Sequence, residues 1–131
     1  MHNVVIFPTD INVKKLAKKI LRNESRIIKK YPPKSIDLKH YIDGQTGLGY
    51  NSLTSRSAHY NILNWWGTRR LRQWIRAGYE EYTECSGALY VQCWANVMRK
   101  GEQILSHKHE AHNNTQCKYH LCGHLLSLIH I

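Results

Sequence analysis

WANVMRKGEQILSHKHEAH, residues Trp94 to His112, opens on alternating apolar and polar positions, turns at Lys100-Gly101, and closes on three histidines and a glutamate. The alternation predicts a strand, the Lys-Gly pair a turn, and Gln103 onward a second short strand. His107, His109, Glu110 and His112 then place four metal-ligating side chains within six positions. In an extended segment side chains alternate faces, so His107 and His109 point the same way, about 6.5–7 Å apart. Two imidazoles at that separation can hold one metal ion. Neutral imidazole suits Fe, Zn, Cu and Ni alike, so spacing does not choose the metal.

Upstream of this stretch the two-residue repeat already runs from Leu89. Leu89, Val91, Cys93, Ala95 and Val97 form one face; Tyr90, Gln92, Trp94, Asn96 and Met98 form the other. The first face is expected to pack on helices. The second mixes aromatic and amide groups, which suits the wall of a ligand cavity, with Tyr90 and Asn96 as its candidate lining groups. Arg99–Glu102 turns the chain back, Asn113–Thr115 is a further loop, and Tyr119–Leu128 is a last strand.

Earlier in the chain the repeat is helical. Val13, Leu16, Ala17, Ile20 and Leu21 share one helical face behind an N-cap at Asp10. That helix runs toward Lys30, with Asn23-Glu24-Ser25 as a place where it could break, and ends at Tyr31-Pro32-Pro33. Val4–Phe7 reads as a short strand. Residues 34–64, rich in Gly, Ser, Asn and Thr, read as a long loop with short extended pieces. A second helix spans Thr68–Glu84, with Leu71, Trp74, Ile75, Tyr79 and Tyr82 along one side. Helices first and antiparallel strands afterwards predict an α+β chain, its sheet beginning a barrel or jelly roll.

The chain has 131 residues, enough for one domain with a core, and 42% of them are hydrophobic, which excludes a disordered protein. No apolar run is long enough to span a bilayer, and the N-terminus lacks a signal-peptide pattern. The expectation is a soluble, cytoplasmic protein without a membrane partner. Net charge is +10, from 19 Lys and Arg against 9 Asp and Glu. That balance, with the run WWGTRRLRQWIR, makes a basic nucleic-acid-binding module one alternative. An amphipathic helix with a solvated basic face accounts for the same residues. Cys85, Cys93, Cys117 and Cys122 contain no CxxC pair, so they read as thiols, with a mixed Cys/His zinc site as the other option.

Three stretches in this order resemble a family of 2-oxoglutarate- and Fe(II)-dependent oxygenases common in phage and marine microbial sequences. They are TGLGYNSLTSRSAHYNILNWW (Thr46–Trp66), YVQCWANVMRKGEQILSHKHE (Tyr90–Glu110) and YHLCGHL (Tyr119–Leu125). The resemblance implies a double-stranded β-helix, a jelly-roll barrel with the N-terminal helices packed on its first strands. It also implies Fe(II) and 2-oxoglutarate as cofactors. It makes His107 the first metal ligand. The family's carboxylate position is His109 here, so either His109 serves as a neutral ligand or Glu110 supplies the carboxylate. His107 with His109 is the favoured pair, with Glu110 and His112 as substitutes. The substrate, a small molecule or a protein, is not specified. A cupin-like, non-catalytic metal-binding protein is a further alternative.

The family's distal histidine and the basic anchor for 2-oxoglutarate are expected several strands beyond His107. His120, His124 and His130 follow it too closely to fill that place. The last six residues, LSLIHI (126–131), equal the translation of a transposase end sequence used as a sequencing adapter. A genuine apolar strand is the other reading of them. The expectation is a single oxygenase-like domain over residues 1–131, helical and looped over 1–86 and starting a barrel over 87–131. It would be cut short at its C-terminus, with turnover absent or very low. An unpaired edge along Tyr119–Leu128 would favour self-association.

Overall fold

A computed structural model describes residues 7–33, 40–44 and 46–106. Helix α1 (Val13–Lys30) forms where the apolar spacing places it. Its cap is Asn12 rather than Asp10: the Asn12 side chain accepts from the Lys15 N–H at 3.1 Å. Leu16, Ile20 and Leu21 pack on the core, and Ile27 is buried in it. The helix passes through Asn23-Glu24-Ser25 without a break, because Glu24 faces inward and both its oxygens accept from the Arg99 guanidinium. Those bonds hold Arg99 above the usual arginine range. Lys29 and Lys30 in the last turn complement the helix dipole.

Helix α2 (Arg69–Thr83) buries Leu71 and packs Trp74 and Ile75 against the same core. The Thr68 hydroxyl does not cap it, since it donates back to the Trp65 carbonyl at 2.8 Å. At the other end Glu84 takes a left-handed conformation, φ 56°, and its N–H donates to the Glu80 carbonyl. The buried core comprises Ile27, Leu53, Tyr60, Ile62, Leu71 and Val97, drawn from both helices, the loop between them and the segment after α2.

The expected α+β architecture, with helices packed on the first strands of a jelly-roll barrel, is overturned. Among the described residues there is no sheet and no barrel; the strand-type pairing is a single antiparallel bridge, Ile42 to Gly49. Burial alternates only toward the ends of Leu89–Met98, where Val97 is buried and Tyr90, Asn96 and Met98 are exposed. Residues 91–95 are all half-buried, and Trp94, expected on the outer face, packs on the core with Cys93 and Ala95. What the segment lacks is a strand partner among the described residues.

Side chains take the strand's place. The Thr54 hydroxyl donates to the Val97 carbonyl (3.0 Å) and accepts from the Val97 N–H (2.9 Å). Tyr60 treats Ala95 in the same way, at 3.2 and 2.9 Å. The Asn61 amide donates to the Val91 carbonyl (2.9 Å), and its oxygen accepts from the Cys93 N–H (3.2 Å). One backbone bond, Ile62 N–H to the Cys93 carbonyl at 2.9 Å, completes the edge. Thus residues 91, 93, 95 and 97 are bonded along one side in strand-like alternation.

The loop cannot offer a strand because its Ser, Thr and Asn side chains fold it into turns. Ser55 Oγ donates to the Ser52 carbonyl, the Thr54 N–H to Ser52 Oγ, and 3-10 turns form at Thr54–Arg56 and Ile62–Asn64. Arg56 is buried and fastens this loop to α1 through a 2.7 Å bond from Nε to the Tyr31 carbonyl. Burial lowers its pKa, while Tyr41 and Asp43 oppose that shift.

Candidate functional site

The four candidate metal ligands, His107, His109, Glu110 and His112, lie outside the described residues, as do Cys117, Cys122 and the expected strand Tyr119–Leu128. Among the described residues no group of three His, Cys, Asp or Glu could hold a metal ion. The structure does describe the approach to His107. After the Arg99–Glu102 turn, where Gly101 has φ +85°, the Leu105 N–H donates to the Thr46 carbonyl at 2.9 Å. Gly47, at φ +77°, lies so close that a Cβ there would come 2.6 Å from the Leu105 side chain. A larger residue at position 47 would therefore strain the backbone and force the half-exposed Leu105 side chain to shift.

From Thr46–Leu105 at one end to Asn61–Val91 at the other, the loop and the segment after α2 run antiparallel and stay in contact. These are two of the stretches that carry the oxygenase resemblance. Cys93 sits in this seam, and burial raises its thiol pKa.

A second feature adjoins the Tyr60–Asn61 end of the seam. A groove of about 910 Å³ runs between α1 and the chain from Ala58 to Trp66. Lys19, Asn23, Arg26 and Lys30 form its α1 wall at i, i+4, i+7 and i+11, one helical stripe. Tyr31 and His59 stack across it, ring centroids 5.3 Å apart at 13°. On the far wall Trp65 stacks on Tyr60 (5.9 Å, 18°) and packs, half-buried, against the core. Its neighbour Trp66 is 92% exposed. A shallower hollow on the other side of Trp66 is lined by Arg69 and Arg72. None of the described residues lining either depression is acidic.

Tyr90 stands at the groove's rim and is largely exposed; Asn96 is exposed and does not line it. The sequence marks WWGTRRLRQWIR but not the α1 stripe. The signal was present in the spacing of Lys19, Arg26 and Lys30, masked by the denser lysines at 14, 15 and 18.

No helix among the described residues is long and apolar enough to cross a membrane. No family model, curated protein or solved structure matches the chain.

Proposed function

We propose that the chain belongs to Fe(II)- and 2-oxoglutarate-dependent oxygenase chemistry, with His107 and His109 as metal ligands and Glu110 and His112 as their substitutes. The observation that supports this reading is the antiparallel seam. Thr46–Trp66 and Tyr90–Ser106, the described part of Tyr90–Glu110, belong to two of the stretches that carry the resemblance. They are joined by hydrogen bonds, and the Leu105–Thr46 bond fixes the chain two residues before His107. The proposal does not include the barrel.

The donor set fits the group in its chemistry. Two imidazoles with a neighbouring carboxylate are the nitrogen and oxygen ligands that non-haem Fe(II) takes, with positions left for a co-substrate. When bound, Fe(II) with 2-oxoglutarate supplies the activation of O₂ for oxidation of a C–H bond. The chain's own described contribution is the seam, which holds the backbone as far as Leu105.

Anaerobic titration with Fe(II), with and without 2-oxoglutarate, tests the reading on the wild type, His107→Ala and His109→Ala. Saturable binding that either replacement abolishes is the expected result, with a new visible absorption band on adding 2-oxoglutarate if the co-substrate is held. Folded protein that binds no Fe(II), or binds it equally well in all three forms, rejects the reading.

A further inference from the structure

We infer that the groove between α1 and Trp65–Trp66 binds single-stranded nucleic acid, with phosphates along the α1 stripe and a base stacked on Trp66. The inference is independent of the metal reading, because no groove residue is a candidate ligand.

Three observations carry it. First, the cations are ordered. Lys19, Arg26 and Lys30 lie on one helical stripe spanning about 16 Å, and none of them forms an ion pair with another described residue. Arg69 and Arg72 extend the positive track past Trp66. A row of fixed cations on a groove wall complements a phosphate backbone better than a scattered basic surface does.

Second, Trp66 is almost fully exposed although Trp65 beside it is packed. An indole offers a large apolar face that ordinarily finds cover. Here it stands between two basic depressions, where successive bases of a strand can stack on it.

Third, aromatic rings line the groove: Tyr31 and His59 stack on one another there, and Lys30 sits over the Tyr31 ring at 5.3 Å. Cations on one wall and aromatic faces beside them suit unpaired bases. A duplex keeps its base faces stacked on one another and would leave these rings unused.

The experiment is fluorescence anisotropy with a labelled 12-nucleotide oligo(dT), a duplex of equal length as comparison, and intrinsic tryptophan quenching as a second readout. The full chain is used. Wild type is expected to bind the single strand more tightly than the duplex, with tryptophan quenching. Trp66→Ala should weaken binding about 5- to 150-fold, the range for losing one stacked base, and should remove most of the quenching. Its exposed position makes unfolding no explanation.

Replacing Lys19, Arg26 and Lys30 together by alanine should flatten the salt dependence by about 2 in the slope of log affinity against log salt, at about 0.7 per phosphate contact. Replacing Lys14, Lys15 and Lys18 instead removes the same charge from outside the groove and should change the slope far less. Equal losses in the two triple variants would overturn the inference, since they would mean diffuse attraction. So would equal affinity for duplex, or binding to anionic lipid vesicles without binding to the oligonucleotide. Loss of metal binding in His107→Ala with oligonucleotide affinity intact would leave the groove assignment standing and separate the two readings.

Discussion

Asn61→Ala is expected to lower stability by about 3 kcal/mol, a large share of the roughly 5–15 kcal/mol that holds a domain of this size. The side chain makes three bonds to backbone: donation to the Val91 carbonyl, and acceptance from the N–H groups of Cys93 and Leu63. Each is worth about 1 kcal/mol net, and a backbone group left without a partner in the seam costs about 1–3 kcal/mol. The surviving bond from Ile62 N–H to the Cys93 carbonyl keeps the loss from growing further. With a slope near 2 kcal/mol per molar urea, the unfolding midpoint should fall by about 1.5 M. Asn64→Ala, three residues on and exposed, should change stability by no more than about 0.5 kcal/mol. Similar small shifts for both variants would show that the Asn61 side chain does not stand in for a strand.

The second large effect is a loss of stability in alkali, traced to Tyr60. Burial pushes its hydroxyl from 10.0 up to about 12; Cys93 and Glu24 add to the shift, and the bond to Ala95 opposes it. Below pH 10 the hydroxyl is protonated in both folded and unfolded chains, and its contribution is complete. Between pH 10 and about 12 the unfolded chain releases this proton while the folded chain keeps it, so stability falls with rising pH. Two pH units correspond to about 2–3 kcal/mol. Urea unfolding measured from pH 8 to 12 should show the decline. Tyr60→Phe should be less stable at pH 8, having lost both bonds to Ala95, and its decline with pH should be shallower. Parallel pH profiles for the two proteins would rule out a buried, bonded Tyr60.

Both predictions concern the part of the fold that periodicity reveals least. The helices were legible because their apolar residues recur on one face. The second helix, expected over Thr68–Glu84, lies within a residue of that at each end; the first starts two residues later than a cap at Asp10 implies and runs unbroken through Asn23-Glu24-Ser25. There two good capping residues competed, and Asn12 reaches the Lys15 N–H while Asp10 makes a loose surface pair with Arg70.

The two-residue repeat after Leu89 predicts alternating faces within a sheet. The backbone bonding alternates and Val97 turns inward, but Trp94 packs on the core beside Cys93 and Ala95, and no sheet forms among the described residues. Alternation in the sequence says nothing about what bonds the backbone edge. The partners here are Thr54, Tyr60 and Asn61, distant by 43, 35 and 30 residues. Their loop has no periodicity of its own, because Ser, Thr and Asn bond locally. Glu24 shows the same limit. A carboxylate within an apolar stripe suggests a break until Arg99, 75 residues away, is brought to it. In the candidate groove the cations can be counted from the sequence, whereas the exposure of Trp66 beside a half-buried Trp65 stacked on Tyr60 cannot.

The antiparallel seam underlies both the corrected fold and the proposed function, and residue-resolved amide hydrogen exchange tests it most directly. The N–H groups of Cys93, Ala95 and Val97 donate to Asn61, Tyr60 and Thr54 side chains, so all three should exchange slowly. Tyr60→Phe should release Ala95 selectively while Cys93 and Val97 stay protected. Ala95 equally slow in wild type and Tyr60→Phe would contradict the seam, as would rapid exchange at all three positions in a protein whose helices remain protected.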